Sequence, residues 1–362
     1  MTMKCFQRVL YLSALGLIFH ILLVGCSGDP TSPDDKDIVA GVNLDSLFAA
    51  PTAEEIATIE GEWQLRNPVA SEVTILDSGK HEDFSVLVLS HDVNGVTHKG
   101  AVIVPDSTGN SPLPVLVLLH GGDGGINLDQ YLSLIRYDEY NTFDNLIVVV
   151  PSFRSEALTY GGEQYTSGGN PSPWDRDVDD ALALIRSAVR TIPAADSTRI
   201  GVLGYSRGAG VGLLMGIRNP DIDLIVEYFG PTDFMGEYVR EIAREALQGK
   251  LRDLPGLHWL NQQYLQPLKE GELSIDDVRL ELIRRSAVYF PDRLPQLQIH
   301  HGTSDTIVAV SQAERLIEVM EEAGRTEPGF EHYLYNGGTH NPFSLNGSME
   351  RTAVFLGRLV ED

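Results

Sequence analysis

The sequence predicts an α/β fold: a mostly parallel central sheet flanked by helices, with a helical lid inserted late in the chain. Three observations carry this. From Val115 onward, short apolar runs alternate with amphipathic stretches, the pattern of buried parallel strands joined by crossover helices. The apolar run Ile200–Leu203 leads directly into Gly204-Tyr205-Ser206-Arg207-Gly208 and then a helix-like segment over 207–218, which is a strand–turn–helix arrangement. Over about residues 233–292 the alternation lapses into helix-like pieces joined by Pro- and Gly-bearing turns.

Taken in order, the chain begins with Lys4 and Arg8, followed by an apolar run from Val9 to Val24. That run has the length of a secretory signal core and is short for a membrane span. It ends in Leu23-Val24-Gly25-Cys26, which resembles a bacterial lipobox. Residues 1–25 are therefore expected to be a lipoprotein signal peptide, with lipid carried on Cys26. Only two cysteines occur, so loss of Cys5 leaves no disulfide to form. Residues 26–41 read as a flexible tether, polar and Pro-bearing. Residues 42–362 read as one domain, opening with an amphipathic helix within 42–60.

Strands are expected at 73–76, 84–90 and 99–104, separated by turn residues, as an antiparallel start to the sheet. Parallel strands follow at 115–119, 146–150, 200–203, 224–229, 296–300 and 330–335. Helices are expected at 175–190, 207–218, 312–323 and 342–360, and within the lid at 238–248 and 275–288. The acidic group Asp175, Asp177, Asp179 and Asp180 at one helix start reads as favouring the helix dipole on a solvated face.

With 27 basic and 51 acidic residues the formal charge is −24. Such a balance argues against nucleic-acid binding and against electrostatic docking on anionic lipid. It suits an exported protein of the bacterial cell envelope, held to the membrane through Cys26. No His-x-x-x-His pair or cysteine cluster signals a metal, and no cofactor is expected.

The chemistry centres on Ser206. Gly204 and Gly208 lack a Cβ, so strand and helix can pass close together while the serine hydroxyl is pushed out of the sheet. A general base and an acid are then needed, in that fold on loops following later strands. His340 follows Gly337-Gly338 after the last strand and is the base; Asp305, in His301-Gly302-Thr303-Ser304-Asp305, is the acid. Asp233 is the alternative acid, its other role being to cap the first lid helix. An oxyanion needs two backbone donors: the N–H of Arg207, and one from the loop His120–Gly125, with Gly122 favoured over Gly121 or Asp123. The same loop lacks the spacing and the Lys-Ser/Thr of a phosphate-binding loop. His120, His300 and His301 read as structural. Arg154 and Arg207 are open to two uses, holding a substrate carboxylate or forming structural ion pairs.

With these residues assembled, the chain resembles the α/β-hydrolase superfamily, and more narrowly the catalytic domain of the prolyl oligopeptidase and dienelactone hydrolase group. The matching pieces are His120-Gly121-Gly122, Val149 to Arg154, Trp174 with Asp177-Val178, Arg199 to Gly208, His301-Gly302 with Asp305 and Val308, and Gly338 with His340. They span about residues 70–360. The resemblance implies a serine hydrolase that cleaves carboxylic esters through an acyl-Ser206 intermediate, acting on a small-molecule ester or short peptide. A peptidase or amidase with the same triad is the alternative. The sequence departs from many family peptidases at Ser206-Arg207-Gly208-Ala209, where they show a second glycine, and it has no β-propeller. A non-catalytic binding module on the same fold would be marked by a broken triad, whereas Ser206, Asp305 and His340 are all present. Phe234, Met235, Tyr238, Leu257, Trp259, Tyr264 and Leu265 form either an apolar substrate surface or the lid's own core. Oligomeric state is not legible.

Overall fold

Three antiparallel strands open a nine-stranded sheet and six parallel strands complete it. They are β1 (Ala70–His81), β2 (Phe84–Val93), β3 (Val96–Pro105), β4 (Leu113–Leu119), β5 (Ile147–Pro151), β6 (Ala195–Tyr205), β7 (Leu224–Tyr228), β8 (Gln296–Gly302) and β9 (Phe330–Tyr335). Their spatial order is β9-β8-β7-β6-β4-β5-β3-β2-β1. The pairs from β9 to β5 are parallel, while β5–β3, β3–β2 and β2–β1 are antiparallel. This is a computed structural model, and it describes residues 37–361 apart from 67, 69, 107–110 and 137. The expected signal peptide, Cys26 and most of the tether lie outside the described residues.

The two-residue period of a strand builds a core on each face. Val115, Val117 and Leu119 face one apolar cluster, which the helices Arg176–Thr191, Arg207–Arg218 and Ser311–Glu322 cover. Leu116 and Leu118 face the other, covered by the helices Leu128–Arg136 and Ser348–Gly357. Burial on both faces is why these strands read as unbroken apolar runs rather than alternating ones.

Several local expectations change. Residues 38–41, placed in the expected tether, are part of the fold: Ile38–Val39 pairs with Val42–Asn43, and Val39 and Val42 are buried in the core. The single helix expected within 42–60 is two, Leu44–Leu47 and Ala53–Leu65. Pro51 interrupts it, and a Thr52–Glu55 capping box starts the second. The helix Leu128–Arg136 and the hairpin Ala157–Tyr160/Glu163–Thr166 had no counterpart in the sequence reading. The closing helix expected at 342–360 is a short turn, Pro342–Ser344, then Ser348–Gly357.

The acidic group at the start of helix Arg176–Thr191 is the largest correction. It is not solvated: Asp177, Asp179 and Asp180 are at most 1% exposed. Each meets arginine from another element. Asp175 pairs with Arg66, Asp177 with Arg207, Asp179 with Arg218, and Asp180 with Arg154 through two bonds of 2.7 and 2.8 Å. Buried carboxylates are tolerated only when paired in this way.

Between β7 and β8 lies the helical insertion, with helices Glu237–Leu247, Leu257–Leu260, Gln266–Glu270 and Ile275–Ile283. It is clamped by the N-terminal segment. Arg279 donates to Glu55 (2.7 and 2.9 Å) and to the carbonyls of Ser46, Leu47, Ala49 and Ala50. Arg284 meets Glu62 at 2.7 Å, and Arg240 and Arg244 both reach Asp37.

Candidate active site

All the loops that carry the predicted site residues leave the C-terminal ends of parallel strands, so they converge on one edge of the sheet. Ser206 follows β6 directly and sits at φ 54°, ψ −119°, a left-handed conformation that costs a non-glycine residue of the order of 1–3 kcal/mol. Its N–H is held by the carbonyl of Tyr228 at 2.9 Å. The elbow closes because Gly208 is bare: a Cβ there would meet the carbonyl oxygens of Leu119 and His120 at 2.4 and 2.6 Å. The helix Arg207–Arg218 then starts at Arg207, whose N–H, in the first helical turn, has no intrahelical acceptor.

Asp305 and His340 are brought together. Asp305 Oδ2 accepts from His340 Nδ1 at 2.7 Å, and its Oδ1 accepts from the amides of Ile307 and Val308 at 2.8 and 3.0 Å. Burial alone would raise this carboxyl, but the His340 bond and the two amides outweigh it and hold Asp305 below the usual carboxylate range. The loops bearing acid and base cross where Gly302 meets Gly338, with a Cβ on Gly302 only 2.3 Å from the Gly338 carbonyl. Ser304 N–H donates to that carbonyl at 2.8 Å and fixes the crossing. The Phe229 ring lies 4.3 Å from the His340 ring and packs the imidazole in place.

Ser206, His340, Gly121 and Gly122 line one cavity of about 860 Å³. Gly122 has φ +77° and open space where a side chain would stand, while Gly121 packs on the serine itself, a Cβ there lying 3.0 Å from Ser206 Cβ. The rival acid Asp233 does something else. Its carboxylate accepts from Met235 N–H (2.9 Å) and Tyr289 OH (3.3 Å), and burial raises its pKa. It shapes the turn into the insertion.

His120, His300 and His301 are buried and bonded within the fold. His120 is buried against Phe153, with Nδ1 3.0 Å from the Gly121 carbonyl, and burial lowers it to about 4. His300 bridges Tyr335 and Gln298 at 2.8 Å each, and His301 meets the Val308 carbonyl at 2.9 Å. Both arginines are committed to ion pairs. Arg207 is held by Asp177 (2.7 Å) and Glu156 (2.5 Å), which outweigh burial and keep it charged; Arg154 is held by Asp180.

Sequence reasoning passed over Phe229 and Glu227. Glu227 was legible as the one acid inside an apolar run. Its Oε2 accepts from Gly230 N–H at 2.9 Å, and burial pushes its carboxyl up to about 8. It faces Gly204 across the β6–β7 pairing, behind the elbow.

No protein-family model matches this chain. Feruloyl esterase B of Thermothelomyces thermophilus is 23% identical over 260 residues, covering 66% of this chain and 78% of that protein. Among solved structures, acetyl xylan esterase 1 from Thermoanaerobacterium sp. superposes with a TM-score of 0.57 at 18% identity, over 85% of this chain and 93% of that one. The Pyrococcus furiosus esterase Pf2001 gives 0.53 at 18%, over 82% and 100%. Acylaminoacyl peptidase from Pyrococcus horikoshii gives 0.52 at 15%, over 80% of this chain but only 50% of that one.

The fold is that of the α/β-hydrolases. In this structure the serine turn follows β6 directly and the helical insertion lies between β7 and β8. Within this α/β-hydrolase framework Phe234, Tyr238 and Leu257 border a second, smaller space beside Ser206. Met235 and Leu265 belong to the core, and Trp259 packs on Tyr264 beside Arg285.

Proposed function

We propose that the protein is a serine hydrolase that cleaves carboxylic esters through an acyl-Ser206 intermediate. The observation that carries this is the 2.7 Å Asp305–His340 bond, with His340 and Ser206 lining one cavity. His340 takes the proton of Ser206 as its Oγ bonds to the acyl carbon. It then gives that proton to the alcohol oxygen as the C–O bond breaks. Water repeats the sequence in reverse, releasing the carboxylic acid and restoring Ser206. Asp305 holds the tautomer and stabilises the imidazolium. The N–H groups of Arg207 and Gly122 receive the oxyanion.

The similarity to a feruloyl esterase and the fold shared with an acetyl xylan esterase support ester chemistry. The peptidase reading draws on the likeness to acylaminoacyl peptidase. It is weakened because Arg154 and Arg207, the cations that could hold a chain terminus, are both engaged by buried carboxylates. A fluorophosphonate probe is expected to add to the peptide containing Ser206, and p-nitrophenyl acetate to turn over faster than matched aminoacyl p-nitroanilides. Labelling elsewhere, or faster anilide cleavage, would reverse the order.

The domain beginning near Asp37 is proposed to be tethered to the bacterial envelope through lipid on Cys26, after removal of residues 1–25. Cys26→Ala is expected to release the protein from the membrane fraction; unchanged fractionation would refute the anchor.

A further inference from the structure

We infer that Ser206 stands at the junction of two compartments with separate tasks, and that the smaller one restricts the enzyme to short acyl groups. This rests on the ester reading above and deepens it.

Two spaces meet at the serine. Pro255 and Ile307 border both of them. The larger, of about 860 Å³, is lined by His340 and by Gly121 and Gly122. The smaller, of about 80 Å³, is lined by Ser206 and Arg207 but by neither His340 nor the glycine loop. Chemistry assigns the sides. His340 must hand its proton to the departing alcohol oxygen, so the alcohol occupies the space that His340 lines. The acyl group is left with the other.

That recess is apolar, walled by Trp174, Phe234, Ile242, Leu254, Leu257 and Val308. Of its polar tips, the Tyr238 hydroxyl donates to the Ile307 carbonyl and the buried Trp174 Nε1–H has no partner. A charged acyl tail would lose its water there and find no counter-charge that is not already paired. An apolar cavity of about 150 Å³ holds a benzene ring, so a space of 80 Å³ fits roughly two to four carbons, acetyl to butanoyl. Its wall does not yield readily. Phe234 N–H is bonded to Ser286 Oγ at 2.8 Å, Thr232 and Asp233 are bonded to Gln312, and the insertion is clamped through Arg279.

The alcohol side is different in kind. Tyr131, Tyr140, Phe143 and Phe343 supply rings, and Asp138 and Asp253 supply carboxylates. Such a surface suits a bulky, ring-bearing alcohol that is neutral or cationic, and opposes an anionic one. The substrate class is thus a short-chain acid esterified to a large alcohol, rather than an aromatic acid esterified to a small one.

The test is a series of p-nitrophenyl esters from acetate to octanoate, with benzyl acetate set against its isomer methyl phenylacetate, whose leaving alcohol and acid are of matched acidity. The expected result is kcat/KM that holds up to butanoate and falls at least tenfold by octanoate, with benzyl acetate at least tenfold ahead of methyl phenylacetate. Leu254 is half-buried at the recess wall, so its variants perturb little else. Leu254→Ala is expected to raise the octanoate-to-acetate ratio about tenfold. Leu254→Phe should lower the butanoate-to-acetate ratio, each excluded methylene counting for about fourfold. A flat chain-length profile, a preference for methyl phenylacetate, or Leu254 variants that scale all esters alike would overturn the assignment while leaving a Ser206-dependent esterase intact. Loss of all Ser206-dependent ester turnover would remove both.

Discussion

Ser206→Ala is expected to lower kcat on p-nitrophenyl acetate by about a millionfold, and Asp305→Asn by about ten-thousandfold. The first removes the atom that forms the acyl bond. The second keeps the shape of the acid but reverses its hydrogen-bonding role. Asp305 Oδ2 now accepts from His340 Nδ1–H at 2.7 Å, which leaves the other ring nitrogen free to take the serine proton. An amide nitrogen at that position would select the wrong tautomer. The amides of Ile307 and Val308 point at Oδ1, so the replacement oxygen is held on that side and the nitrogen is forced toward His340. Ser206→Ala combined with His340→Ala should be no slower than Ser206→Ala alone, because the residues act as a unit. A Ser206→Ala protein that keeps a hundredth of the activity would sink the mechanism.

Asp177→Ala is expected to destabilise the fold by about 3–5 kcal/mol in chemical denaturation. The carboxylate is wholly buried and receives Arg207 Nε and one terminal nitrogen at 3.0 and 2.7 Å, with Trp174 N–H at 3.3 Å. Removing it leaves a buried guanidinium short of a counter-charge and opens a hole at its side. Asp177→Asn, which retains an acceptor for Arg207, should cost distinctly less. The same arginine supplies the first backbone amide of the elbow helix and donates to the Gly122 carbonyl at 3.2 Å. Turnover should therefore fall along with stability. An Asp177→Ala protein within 1 kcal/mol of the parent would show that the pair contributes little.

Much of this site was legible because its residues answer to strict local demands. A serine in a left-handed turn needs bare neighbours on both sides, and Gly204 and Gly208 announce that in the sequence. The helix Arg207–Arg218 fell where it was expected, since the turn fixes its start and Asn219-Pro220 its end. Asp305 and His340 could be chosen because each sits in a short loop after a strand. The acidic group from Asp175 to Asp180 could not be read correctly. Its arginine partners come from Arg66, Arg154, Arg207 and Arg218, on elements far apart in the chain, and only the assembled fold brings them to one helix. Phe229 was lost for the opposite reason: at the end of an apolar strand it looks like any core residue, and neither its positive φ of 43° nor its ring contact with His340 is written in the local pattern.

The clamp between the N-terminal segment and the insertion has a mechanical meaning. Asp37 is gripped by Arg240 and Arg244 at 2.6 and 2.7 Å, and the helix carrying those arginines also carries Val239 and Ile242 into the wall of the recess beside Ser206. Removing Asp37 would take a shared partner from two arginines of that helix at once, so a chain trimmed past this residue would have a looser wall beside Ser206 although no atom of the recess itself had changed.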